Sequence, residues 1–144
     1  MIKVIAVGKI KEAYFKDACD EYLKRLKKYT KIELLELPDS NINDESKKIL
    51  NKIKETDYVI ALDIDGDEIN SLDFAENINK LHINQPNIVF VIGGSEGLSQ
   101  DIKKRSNQKL SFSKMTFPHK LFRVMFLEQL YRCYKINNNE SYHK

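Results

Sequence analysis

The chain has 144 residues, 42% of them hydrophobic, and its 24 basic and 21 acidic side chains leave a formal charge of +3. That length predicts one domain spanning residues 1–144, the apolar content excludes global disorder, and so mild a charge does not by itself announce a nucleic-acid binder. The two cysteines, Cys19 and Cys133, lie far apart and exclude a disulfide framework or a cysteine zinc site; with no leader before the first strand and no apolar run near ~18 residues, a cytoplasmic globular protein without membrane or metal is expected.

The elements alternate along the chain. Ile2–Val7 is an apolar run ending at Gly8, a strand. Lys11–Tyr29 places Phe15, Cys19, Tyr22, Leu23 and Leu26 at helical spacing. Lys31–Leu37 alternates and stops at Pro38, a strand followed by a polar loop to Asn43. Asp44–Glu55 is a helix with Ile49, Leu50 and Ile53 on one face, and Tyr58–Asp63 is a strand. Ser71 is placed to cap a helix reaching about His82. Ile88–Ile92 is the strongest strand, Ser99 caps a short helix to about Ser106, and Leu110–Lys114 is a fifth strand. Pro118 then opens a helix to about Ile136, apolar over most of its circumference, which predicts cover on more than one side, including a partner subunit.

Such alternation predicts an α/β fold with a parallel-rich sheet and helices on its faces. Ligands of open parallel sheets bind beyond the carboxyl ends of the strands. The segments to search are therefore Gly8-Lys9, Pro38–Asn43, Asp63–Glu68, Gly93–Ser99 and Met115–His119. Asp63–Glu68 is not an EF-hand loop, because Gly66 and Phe74 fall where that loop needs other residues. Gly93-Gly94-Ser95-Glu96-Gly97 matches neither the dinucleotide fingerprint nor a Walker loop. Charge is uneven: across residues 103–144 only Glu128 and Glu140 oppose a long series of lysines and arginines. That skew fits either a solvated face or a polyanion footprint.

Several motifs, taken together, are specific. Val4–Lys9, Leu62-Asp63-Ile64, Ile92-Gly93-Gly94-x-Glu96-Gly97-Leu98, Phe117-Pro118-His119-x-Leu121-x-Arg123-Val124, Glu128-x-Leu130-Tyr131-Arg132 and the terminal Tyr142-His143 occur in order. The chain thereby resembles the ribosomal RNA large subunit methyltransferase H family, of the SPOUT class. Ser95 and Asp65 stand where relatives often carry proline. The resemblance implies a C-terminal trefoil knot, a homodimer, S-adenosyl-L-methionine as cofactor, and methylation of N3 of a pseudouridine in helix 69 of 23S rRNA in the ribosome. It assigns the cofactor to Leu62, Gly94, Ser113, Lys114, Met115, Thr116, Phe117 and Pro118.

An imide N3–H must lose its proton, so a base and a sink for the resulting negative charge would help. His119, His143 and Glu96 are the candidate bases; Arg123 and Arg132 are the candidate sinks, with Tyr142 beside them in the tail. Histidine titrates near neutrality, which suits the role. His143 and Arg132 are expected to line the substrate side, across the dimer. Competing readings are a flavodoxin-like nucleotide- or phosphate-binding domain and a non-catalytic ribosome-binding protein.

Overall fold

A computed structural model describes residues 1–143. Five strands form one parallel sheet: β1 (Ile2–Val7), β2 (Ile32–Leu37), β3 (Tyr58–Glu68), β4 (Ile88–Ile92) and β5 (Gln108–Ser111), in the order β2-β1-β4-β3-β5. The helices between them are α1 (Ala13–Leu26), α2 (Ile42–Asn51), α3 (Ser71–Asn84), α4 (Gln100–Arg105) and α5 (His119–Asn137). A flavodoxin-like sheet would run β2-β1-β3-β4-β5. The exchange of β3 and β4 sets that reading aside.

The period-2 geometry of the strands divides the core into two layers. Ile2, Val4 and Ala6 of β1, with Ile60, Leu62, Ile88, Phe90 and Ile92, face α1, α3 and α5. Ile5, Val7, Val59, Ala61, Val89 and Val91 face α2 and α4, against Ile49 and Ile102. Because β1, β3 and β4 are covered on both faces, they read as continuous apolar runs instead of alternating ones. Phe126 of α5 packs on Phe90 with ring centroids 4.9 Å apart, and Phe74 of α3 meets the same ring edge-on at 6.2 Å. Both cysteines are buried and unpaired.

Helix starts follow side-chain capping. Asn41 accepts from the Asp44 N–H, Asn70 from Asp73, and Ser99 from Ile102. Asn70, not Ser71, is thus the cap of α3; the Ser71 hydroxyl donates instead to Gln129 on α5. Two strand ends differ from the sequence reading. β5 lies earlier, at Gln108–Ser111, which leaves Ser113 and Lys114 in the following loop. β3 continues past Asp63 because Leu110 pairs with both Leu62 and Asp67, so that the residues between them bulge out of the ladder. The bulged stretch is acidic and polar, which is why its composition reads as a turn.

α5 lies on α1 and α3, burying Phe126, Leu127 and Leu130 fully. Its cover is incomplete at the start, where Leu121 is 38% exposed. Among the described residues no helix is long and apolar enough to cross a membrane, and no group of three or more His, Cys, Asp or Glu is placed to hold a metal ion.

Candidate active site

A cavity of about 610 Å³ opens at the carboxyl ends of β3, β4 and β5 and is closed on one side by the first turn of α5. That is within the range of small-molecule sites, roughly 300–1,000 Å³. The β3 exit contributes Leu62 and the bulge Asp63–Asp65. The β4 exit contributes the turn Gly94–Gly97, closed by the Gly97 N–H donating to the Gly94 carbonyl at 3.0 Å.

The β5 exit is a loop tied by its own side chains. The Ser111 hydroxyl donates to the Ser113 carbonyl at 2.8 Å, and the Ser113 hydroxyl accepts from the Met115 N–H at 3.0 Å. Pro118 then starts α5 without a side-chain cap. The N–H groups of that first turn are left available near the cavity. Every residue assigned to the cofactor by resemblance lines this cavity except Lys114, which is exposed.

His119 also lines the cavity, but its Nε2 is sealed without a hydrogen-bond partner. It lies against Gly8, where a Cβ would come 3.1 Å from His119 Nε2 and 3.3 Å from Asp39 Oδ2. The backbone at Gly8 has φ +99°, a conformation L side chains rarely adopt. Gly8→Ala therefore combines backbone strain with crowding of His119 and is expected to cost about 2–3 kcal/mol. Gly97 also has positive φ, +76°, but nothing lies within 4 Å of its missing Cβ. Gly97→Ala should cost only about 1 kcal/mol. Thermal melts of the two variants side by side check the difference.

Arg123 is not a charge sink facing substrate. It has no exposed surface. Its Nη1 donates to Glu36 Oε2 at 2.5 Å, and its Nη2 donates to the Val7 and Gly8 carbonyls at 3.2 and 2.9 Å. Glu36 Oε2 also accepts from the Ile10 N–H at 3.0 Å. Arg123 thus ties α5 to the end of β1 and to β2. One turn earlier, Lys120 pairs with Glu12 at 3.2 Å, and backbone hydrogen bonding together with that ammonium holds the Glu12 carboxyl below its ordinary range. Arg123 fixes the wall on which His119 and Gly8 meet.

Glu96 lines the cavity at an exposed position of the β4 turn, whereas Arg132, Tyr142 and His143 gather toward the opposite end of α5. Arg132 forms a two-pronged pair with Glu128, one turn back on the same helix, with Nε to Oε1 at 2.8 Å. Hydrogen bonding to Glu128 pushes the Arg132 guanidinium further up, keeping it charged. Its Nη1 contacts His143 Nδ1 at 3.0 Å, and its guanidinium carbon sits 5.0 Å from the Tyr142 ring centroid. Tyr142 meets Tyr131 edge-on at 5.1 Å. The sequence-derived trio Arg132, Tyr142 and His143 is one cluster. It does not meet the cavity within one chain, because thirteen helical residues from His119 to Arg132 span ~20 Å.

Sequence reasoning missed Glu36, whose charge at a half-buried strand position carries no local signal. It also missed the ion pair between Asp63 and Lys103, 3.3 Å apart on the cavity wall. The strand-end position of Asp63 was a usable clue; Lys103 was hidden in a basic run.

A parallel α/β sheet with a ligand-sized cavity at its strand ends, walled by the loop before the last helix, places this chain in the α/β class whose ligand sites lie at that edge of the sheet. The chain belongs to the SPOUT methyltransferase family: the model described as "Predicted SPOUT methyltransferase" matches residues 1–143. Relatives are similar over their whole length. Ribosomal RNA large subunit methyltransferase H 1 of Clostridium perfringens is 52% identical over 157 aligned residues, covering 99% of each chain. Ribosomal RNA large subunit methyltransferase H of Clostridium tetani is 50% identical with the same coverage, and that of Clostridium beijerinckii 48%.

Proposed function

We propose that this protein methylates N3 of a pseudouridine in helix 69 of 23S rRNA, in the assembled ribosome, with S-adenosyl-L-methionine as donor. It acts as a homodimer of single methyltransferase domains spanning residues 1–144, each with its C-terminal segment knotted. The observation that carries the donor is the convergence of Leu62, Gly94, Ser113 and Met115–Pro118 on one cavity of cofactor size. The RNA substrate is supported by relatives named for large-subunit rRNA methylation at about half identity over nearly the full chain.

The cofactor supplies a methyl group already activated by its sulfonium. The chain must then position the acceptor and manage one proton. The three strand-end loops wall the cavity, and Arg123 holds the wall beneath them. His143 and Arg132 serve the acceptor. An arginine cannot accept a hydrogen bond, so Arg132 donates to His143 Nδ1, whose lone pair is occupied at rest. The N3 proton passes to His143 Nδ1 as Arg132 turns from that nitrogen toward the negative charge developing on the base, so that the acceptor lone pair opens in the same step in which the N–H bond breaks. The ~20 Å along α5 favours delivery of this tail to the cavity of the partner subunit. The exposed start of α5 supports a second chain packing there.

The test is transfer of a tritiated methyl group to intact ribosomes and to naked 23S rRNA, both from a strain lacking the modification. Intact ribosomes are expected to be labelled and naked RNA far less. Ribosome binding without transfer to either substrate would favour the non-catalytic reading.

A further inference from the structure

We propose that Asp63, steadied by Lys103, receives the vicinal hydroxyls of the cofactor's ribose. This rests on the reading of the cavity as the site of an adenosine-bearing methyl donor. Asp63 directly follows Leu62 at the carboxyl end of the paired stretch of β3, and both Asp63 and Lys103 line the cavity. The side chains are 10% and 20% exposed, against open positions for Asp65 and Glu96 in the turns.

Asp63 is under-used by the protein itself. Lys103 Nζ lies 3.3 Å from Oδ2, but no N–H or O–H among the described residues makes a hydrogen bond to either carboxylate oxygen. A carboxylate accepts up to about four hydrogen bonds, so both oxygens keep capacity for donors that enter the cavity. Nor are its oxygens sealed: the sealed and partnerless side-chain atoms are His119 Nε2 and Arg123 Nε. The carboxylate therefore stays reachable from the cavity and short of donors.

Charge decides which donors fit. Lys103 already neutralises Asp63, so the ammonium of the cofactor's amino-acid end would bring a second cation beside the first. Two neutral hydroxyls bring donors without charge, and a vicinal pair matches the spacing of two carboxylate oxygens. The dinucleotide-binding α/β fold, though marked by a glycine fingerprint absent here, shows that an acidic side chain can hold a ribose hydroxyl in this way.

Calorimetric titration of the dimer separates the possibilities, using S-adenosylhomocysteine, its 2′-deoxyribose analogue and 5′-methylthioadenosine. Wild-type protein should bind the deoxy analogue about 10-fold or more weakly, as expected for loss of a hydrogen bond to a charged group. Asp63→Asn should weaken S-adenosylhomocysteine by about 10- to 100-fold and erase that discrimination. It should weaken 5′-methylthioadenosine, which lacks the amino-acid end, by a similar factor. Discrimination that survives in Asp63→Asn, or an effect that vanishes with 5′-methylthioadenosine, overturns the assignment. The wild-type comparison of ribose and deoxyribose ligands stands even where the variant folds poorly: equal affinity there also overturns it. Wild-type protein that binds none of these ligands overturns the cofactor reading, and this inference with it.

Discussion

Arg123→Met is expected to lower the stability of the folded chain by about 3 kcal/mol, the low end of the range for breaking a buried ion pair. The buried guanidinium bonds one carboxylate and two main-chain carbonyls, and all three lose a donor at once. The low end applies because the Glu36 side chain is 33% exposed and water can partly replace the lost partner. Glu36→Leu alone strands the opposite charge with no access to water, and should cost at least as much. The double variant should be less destabilised than the two single losses added together, since neither charge is then left alone. Urea unfolding of the four proteins gives the coupling directly. If Arg123→Met left stability unchanged, the clamp would have no energetic content. Cofactor affinity should fall as well, because the clamp holds the Gly8 backbone and the first turn of α5 together.

His143→Ala is expected to cut methyl transfer by about 100- to 10,000-fold, the span attributed to a general base, while leaving the fold and S-adenosylhomocysteine binding intact. The expectation that this tail serves the partner's cavity has its own readout. Chains carrying His143→Ala can be mixed and refolded with chains carrying Gly94→Leu, whose side chain would run into Val7 beside the cavity. Each parent should be inactive. Random pairing in a symmetric dimer should restore about a quarter of wild-type activity, because one cavity of each mixed dimer is whole. A tail that acts within its own chain would give no recovery.

Much of the architecture was legible because burial leaves a periodic trace. Where they are covered on both faces, at Val4–Val7, Tyr58–Leu62 and Ile88–Ile92, strands β1, β3 and β4 are apolar runs, and the alternation with helices followed. Strand order was not legible: nothing in the period of Ile88–Ile92 says that it lies between β1 and β3. The extension of β3 was hidden because its pairing with Leu110 resumes only after an acidic bulge. The motifs located stretches that the fold brings together: Ser113 and Met115–Pro118 line the cavity, without Lys114, and Arg132 meets Tyr142 and His143. Arg123 was misread because its role depends on Glu36, a partner distant in sequence. The Asp63–Lys103 pair joins a strand end to a helix, and such contacts are made by tertiary packing alone.

The last helix links the first turn that walls the cavity to the arginine that holds the tail. A helix advances by ~1.5 Å and turns by ~100° with each residue. Its two ends are therefore locked in phase as well as in distance, like marks on a ruler that is also a screw. One residue inserted between His119 and Arg132 would preserve every functional side chain and still aim the tail a quarter-turn or more away. On the proposed reading, the register of that helix is itself a functional element, one that substitution scans do not probe and insertion scans do.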